Sequence, residues 1–229
     1  MTGIRLGVLG GSFNPVHLGH LHVARQCREL LDLSRVLFTV AAVPPHKPPQ
    51  ELIAFAHRYA MVSLATAGIF GFVPATIELE PPASGYSLDT LAKLSRQSGI
   101  GGKDIFFLAG GDSLLDVAAW YRSAALLESY NFVFVMRPGV PAAGFESLLP
   151  PEAAARVVDC RGLDSSAARE QIAPVLASAA CHIFLVDTGA PDIAASRIRS
   201  LIAQGRSIDD LVPAAVREYI RKLHLYGDR

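Results

Sequence analysis

Six short, mostly apolar runs bounded by turn-forming residues recur along the chain, at Ile4–Leu9, Val36–Val40, Phe72–Ile77, Ile105–Ala109, Phe132–Met136 and His182–Val186. A run that is apolar throughout, rather than at alternate positions, belongs to a strand covered on both faces, as in a parallel sheet. Segments with helical spacing separate the runs: Leu18–Leu31, Phe55–Ala67, Leu88–Ser95 and Leu114–Leu127, the last interrupted near Trp120 and Tyr121. The alternation predicts an α/β fold with a doubly wound, mainly parallel sheet. With 229 residues and 51% apolar side chains the chain can bury one such core. Arg137–Pro151, rich in Pro, Gly and Ala, reads as a loop, and the Ala-rich stretch to about residue 180 carries few signals. From Ile193 an amphipathic pattern begins at Ser196-Arg197-Ile198-Arg199 and closes at Gln204-Gly205. Pro213 then opens a last helix through Leu223. We therefore expect a core over residues 1–191 and a small helical subdomain over 192–229, forming one structural unit.

Charge and cysteine content exclude several classes. Lys plus Arg and Asp plus Glu both number 21, which removes the overall positive field of a non-specific nucleic-acid binder. Any polyanion site must be local. Cys27, Cys160 and Cys181 are widely spaced and lack metal-site clustering, as expected of reduced, buried thiols in a cytosolic protein. No signal-peptide core and no apolar run of spanning length is present, so we expect a cytoplasmic protein without a membrane span. No metal ligands are assigned.

The chemistry concentrates where the first strand should end, in Gly10–His20, GGSFNPVHLGH. In open parallel sheets ligands bind at the carboxyl ends of the strands. Gly10 and Gly11 carry no Cβ to hold a phosphate away from backbone N–H groups, and the helix expected at Leu18 offers unpaired donors and a partial positive charge. His17 and His20, three apart, would project from the same side of that helix entry, with Pro15 stiffening the turn before them. Neither GxxxxGK[ST] nor GxGxxG is present, which argues against P-loop and dehydrogenase folds.

The whole string resembles the signature G-[GS]-[ST]-F-[DN]-P-x-H-x-G-H of the adenylyltransferase superfamily, and further motifs are similar to those of the bacterial nicotinate-nucleotide adenylyltransferases. Pro44-Pro45-His46-Lys47-Pro48 resembles their PPH[KR]P loop, and Arg58 with Met61 their R-x-x-M helix, where a mainly structural role is expected. Ser84-Gly85-Tyr86-Ser87-Leu88-Asp89-Thr90-Leu91 is similar to the S-Y-T-x-x-T-L segment that touches the pyridine ring, with Gly85 and Ser87 as departures. Ser87 could instead cap a helix at Leu88. Gly110-Gly111-Asp112-Ser113-Leu114 and Trp120-Tyr121 resemble the family's G-x-D-S-L and W-Y pair, and a helix N-cap is the rival role for Asp112. Asp192–Arg199 aligns with D-I-S-x-T-x-I-R, Ala194 lacking one hydroxyl, and Leu211–Tyr226 resembles the family's C-terminal helix.

The resemblance implies a Rossmann-like nucleotidyltransferase that joins ATP, accompanied by Mg2+, to nicotinate mononucleotide in NAD biosynthesis. It implies ATP contacts from Gly10, Gly11, Ser12, Phe13, His17, His20, Ile193, Ser196 and Arg199, with His17, His20 and Arg199 catalytic. Mononucleotide contacts would come from His46, Lys47, Tyr86, Ser87, Thr90, Gly110, Asp112, Trp120, Tyr121 and Arg137. Nicotinamide mononucleotide as substrate, a phosphopantetheine adenylyltransferase, a non-catalytic nucleotide sensor and a homo-oligomer all stay open on sequence.

Overall fold

The computed structural model of the chain describes residues 4–42, 52–81, 83–136 and 144–227. Seven strands form one all-parallel sheet: β1 (Leu6–Gly11), β2 (Arg35–Val40), β3 (Phe72–Ala75), β4 (Ile105–Gly110), β5 (Asn131–Met136), β6 (Val157–Asp159) and β7 (Ile183–Asp187). Their spatial order is β3-β2-β1-β4-β5-β7-β6, every neighbouring pair running parallel. The helices are α1 (Leu18–Leu30), α2 (Phe55–Thr66), α3 (Ser87–Ser98), α4 (Ser123–Ser129), α5 (Pro151–Ala154), α6 (Ser165–Ile172), α7 (Ala195–Ala203) and α8 (Ala214–Lys222).

Side chains that alternate along each strand feed two separate apolar layers, and so the sheet is buried on both faces. Phe106 joins Cys27, Phe38, Met61, Phe184, Ile198 and Val216 on one face. Its neighbour Phe107 joins Val8, Leu91, Leu126, Phe132 and Leu185 on the other. The residues of α7 and α8 belong to the first layer, together with those of α1 and α2, and Leu18 N donates to Leu211 O at 2.9 Å.

Three local features differ from the pattern read in sequence. A seventh strand, β6, lies at the sheet edge; three residues are too short a run to show a period, but register with Ile183–Leu185 holds them. The third apolar run ends as strand at Ala75 and turns into a 3-10 turn at Ile77–Leu79. Leu114–Leu127 is interrupted at Trp120 and Tyr121 as its pattern suggests, with Arg122 at φ +50° setting the break, but the part before the break is two 3-10 turns, Gly111–Leu115 and Val117–Ala119, and only α4 after it is α-helical.

One buried cation fastens the sheet edge that carries the site. Arg58, on α2, is only 2% exposed. It donates to Ser12 O at 2.9 Å, Ala41 O at 2.7 Å, Ala42 O at 3.3 Å and Ile53 O at 3.1 Å. Burial pulls its pKa below the ordinary guanidinium range. The four carbonyl dipoles offset that desolvation and tie the chain after β1 to the chain after β2. Arg58→Met keeps the volume but strands those carbonyls, and it should cost about 3 kcal/mol of stability in urea unfolding. A loss below about 1 kcal/mol would mean that water replaces the guanidinium at little cost.

Candidate active site

At β1 the chain leaves the sheet in two directions: β2 pairs on one flank and β4 on the other, while their helices cover opposite faces. A crevice opens at the carboxyl ends of strands at such a switch point. Here it holds two adjoining depressions. The smaller, of about 180 Å³, is lined by Gly19, His20, Ala109 and Gly110 among others, and the larger, of about 430 Å³, by Ser12, Thr39, Glu78, Tyr86, Thr90 and Tyr121 among others. Gly10, Phe107, Ser113 and Trp120 line both, so the two meet along these residues. A Cβ at Gly10 would stand 3.2 Å from the Phe107 ring, on the shared floor.

The loop after β1 is anchored by its own aromatic residue. Phe13 takes φ +46° and is 1% exposed, with its ring edge-on to His20 at 5.0 Å and tilted on Phe38 at 5.9 Å. Any contact it makes with a ligand must therefore use its backbone. His17 is the N-cap of α1 and is buried, its ring centroid 3.6 Å from that of His20. His17 N donates to His20 Nδ1 at 3.2 Å. An imidazole nitrogen that accepts cannot carry the proton, so in neutral His20 the proton sits on Nε2, and the residue lines the smaller depression.

The segment before α7 approaches α1 through a glycine. A Cβ at Gly19 would meet His17 Nδ1 at 3.1 Å and Pro191 O at 3.5 Å, so the missing side chain lets the segment before α7 lie against the start of α1. His22 Nε2 lies 2.7 Å from Thr188 O in the same seam. Ile193 is buried, Ser196 is exposed on the first turn of α7, and Arg199 Nη1 donates to Asn14 O at 2.9 Å. Ala194 is the N-cap and gives no side-chain bond, so the first turn of α7 relies on backbone donors.

On the opposite flank, Tyr86 and Tyr121 stack at 4.4 Å with both rings substantially exposed. Trp120 stands edge-on to Phe107 at 6.1 Å and donates from Nε1 to Asp116 at 3.2 Å. Tyr86 is the N-cap of α3, so Ser87 is its first helical residue rather than its cap. Asp112 is exposed within the 3-10 turn after β4, where Gly110 holds the cap position, and it lines neither depression. His46, Lys47 and Arg137 lie outside the described residues.

Sequence reasoning overlooked Glu78, whose carboxylate accepts from Thr90 Oγ1 at 3.1 Å and Ala42 N at 3.4 Å inside the larger depression. Nothing in the spacing separates it from Glu80 two residues on. All three cysteines are free and buried, and burial pushes the Cys27 thiol up to about 12 and that of Cys160 to about 11, which keeps both protonated. Among the described residues there is no group of three or more His, Cys, Asp or Glu able to hold a metal, and no helix is long and apolar enough to cross a membrane.

A doubly wound parallel sheet with glycine amides and a helix N-terminus at its switch-point crevice defines a nucleotide-binding α/β protein. Residues 8–201 match the cytidylyltransferase-like family. The chain is 38% identical to a protein of Geobacter sp. strain M21 named "Probable nicotinate-nucleotide adenylyltransferase", over 98% of this chain and 99% of that one. It is equally 38% identical to a protein of the same name from Geobacter sulfurreducens, again over 98% and 99%. The fold is similar to a Plasmodium falciparum nicotinic acid mononucleotide adenylyltransferase complexed with NaAD, with a TM-score of 0.67, 16% identity and 98% of each chain covered. The chain belongs to the nicotinate-nucleotide adenylyltransferase family.

The hydrogen bond from His17 N to His20 makes a spectroscopic prediction. Nitrogen-15 shifts of the His20 ring at a pH where it is neutral should show the Nε2–H tautomer; a dominant Nδ1–H form would contradict the geometry.

Proposed function

We propose that the protein transfers AMP from ATP to nicotinate mononucleotide, giving nicotinate adenine dinucleotide and pyrophosphate in NAD biosynthesis. The observation that carries this reading is the pair of adjoining depressions. The smaller has Gly19, Gly110 and His20 at the start of α1, the larger has Tyr86 and Tyr121 together with Gly11 and Ser12, and Gly10, Phe107 and Trp120 line both. That is a phosphate-binding side and a ring-binding side meeting along Gly10 and Trp120, the geometry that two substrates sharing one reacting phosphorus require. The names and near-complete coverage of the relatives support the same substrates.

The reaction needs no protein nucleophile. An oxygen of the mononucleotide 5′-phosphate attacks the α-phosphorus of ATP in line, a new P–O bond forms, and the bond to the bridging oxygen breaks as pyrophosphate leaves with its electron pair. The phosphate monoester is already anionic near neutral pH, so the protein's work is alignment and stabilisation of charge. In this reading Gly10, Gly11, Ser12 and the Phe13 backbone cradle ATP phosphates at the start of α1. His20 Nε2–H, His17 and Arg199 face the charge that develops, and Ile193 and Ser196 bring the first turn of α7. Residues 192–229 thereby complete the ATP site.

Trp120 offers the pyridine ring a platform, with Tyr86, Ser87, Thr90 and Tyr121 around the mononucleotide in the larger depression, Gly110 reaching it from the smaller one and Asp112 from the exposed turn outside both, and His46, Lys47 and Arg137 supplying further polar contacts. A divalent metal fits this chemistry as a companion of the nucleotide. The donors at hand are N–H groups and imidazoles suited to anions, so Mg2+ would be held by phosphates and water, neutralising phosphate charge. The reaction would take place in the cytoplasm.

Glu78 favours nicotinamide mononucleotide as a second reading, because a fixed carboxylate in the larger depression is a better neighbour for a carboxamide than for a second carboxylate. Pyrophosphate release with ATP, Mg2+ and each mononucleotide in turn decides between them. We expect a higher kcat/KM with the nicotinate form, and the reverse ratio would transfer the assignment.

Two substitutions test the two sides separately. His20→Ala should lower kcat by roughly a hundredfold or more with the fold intact, as loss of a preorganised donor to developing charge does; turnover near wild type would remove His20 from the catalytic group. Trp120→Ala should raise the mononucleotide KM and leave that for ATP nearly unchanged, whereas an unaltered mononucleotide KM would rule out the platform.

A further inference from the structure

Three side chains from elsewhere in the chain grip the loop that follows β1. Arg58 of α2 bonds Ser12 O, Arg199 of α7 bonds Asn14 O, and Tyr226, past the end of α8, donates from its hydroxyl to Asn14 Oδ1 at 2.9 Å. The first belongs to the framework and the second to the ATP site. The third has been given no task.

Its geometry is unusual. The turn after α8 places two non-glycine residues in the left-handed region, His224 at φ +49° and Tyr226 at φ +65°. Such conformations are costly for residues with a Cβ, and they persist where the surroundings over-determine them. What holds this turn is visible: Leu225 N returns to Ile220 O at 3.1 Å, and Leu225 and Tyr226 pack on the core layer beneath the loop. Its effect is to carry a hydroxyl to Asn14, a residue only 2% exposed and 212 positions earlier in the chain. Burial raises the Tyr226 pKa, with Arg199 and Arg58 pulling the other way, so the phenol keeps its proton.

Asn14 stands at the centre of the loop. On one side of it Phe13 takes its left-handed turn into the core, and on the other Pro15 and Val16 lead to the cap at His17. Moving Asn14 would rotate the backbone of Gly11 and Ser12 and the entry to α1 together. Its carbonyl bond to Arg199 is a second grip on the same residue. Tyr226 and Arg199 thus hold Asn14 by side chain and by main chain, and both come from the C-terminal segment.

We propose that Tyr226 is a positioning residue for ATP: its hydroxyl fixes Asn14 and so sets the glycine-rich loop in the conformation that receives the nucleotide phosphates. The inference rests on the ATP side of the function proposed above. Tyr226 touches no substrate and acts through Asn14. Because Asn14 sits between Ser12 and the cap of α1 at His17, residues that the function proposed above gives to ATP, the effect should fall on ATP and spare the mononucleotide, which a general loss of packing would not do.

The test is Tyr226→Phe, which removes one oxygen and keeps the ring, measured in the full-length protein by steady-state kinetics and by calorimetric titration with Mg2+-ATP. The KM and dissociation constant for ATP should rise about three- to tenfold, as expected for losing one buried hydrogen bond, with the mononucleotide KM within twofold. Asn14→Ala should reproduce that split, and adding Tyr226→Phe to it should have little further effect. ATP constants within twofold of wild type in Tyr226→Phe would overturn the proposal. So would a parallel rise in both substrate constants, or full additivity with Asn14→Ala. If Tyr226→Phe does not fold, the ATP-selective effect of Asn14→Ala and its absence decide in the same two senses. Wild-type protein that neither binds ATP nor releases pyrophosphate refutes the functional reading and this inference with it; active wild type with an indifferent Tyr226→Phe refutes this inference alone.

Discussion

β1 is the strand on which the molecule turns. It is hydrogen-bonded to β2 on one flank and β4 on the other, so the chain builds outward twice from its edges, and right-handed crossovers send the two sets of helices to opposite faces. With helices diverging above and below, no helix or strand among the described residues fills the space beyond its carboxyl end. The residues placed there are glycines, so the space stays open down to the backbone. The crevice is therefore a product of strand order, and the loop from Gly10 to His20 decides what it can hold.

That loop has little structure of its own. It leaves β1 without a strand partner beyond Gly11, turns through a left-handed Phe13 and reaches helical geometry only at Leu18. Its shape is imposed by Phe13 packed on Phe38, Arg58 on the Ser12 carbonyl and the C-terminal residues on Asn14. Each alone is worth a few kcal/mol at most, but together they hold a row of backbone donors at fixed positions. A site that works by alignment and charge stabilisation gains from this rigidity, since donors that are already oriented need no reorganisation during reaction.

The sheet was legible because strands buried on both faces leave apolar runs, and the crevice because glycines and histidines follow the first of them. β6 was not, since Val157–Asp159 is too short to show a period and is held by pairing with β7. In the segment after β4 the break at Trp120 and Tyr121 was legible but its 3-10 geometry was not: Leu114, Val117, Leu126 and Leu127 share one face at nearly helical intervals, and 3-10 turns and the left-handed Arg122 place them there. At the site, the positions of Tyr86 and Trp120 were foreseeable from the motifs around them. Glu78 was not, because its importance lies in a bond to Thr90 across a turn that no local pattern encodes. The role expected for Arg58 was structural, but its four carbonyl partners come from three separate segments and could be named only once those segments met.

The same long-range origin has a consequence for how site and fold are coupled. The three side-chain hydrogen bonds that grip the loop from elsewhere in the chain span long separations, 46 positions for Arg58 to Ser12, 185 for Arg199 to Asn14 and 212 for Tyr226 to Asn14. The loop is therefore held in this shape by α2, α7 and the turn after α8 together. No partly folded chain that lacks its C-terminal segment presents the same loop, so a ligand that binds the finished cradle stabilises the whole molecule and not just the crevice. Catalytic geometry and global stability are here two readings of one network, which begins at the end of the first strand and closes with the last turn of the chain described.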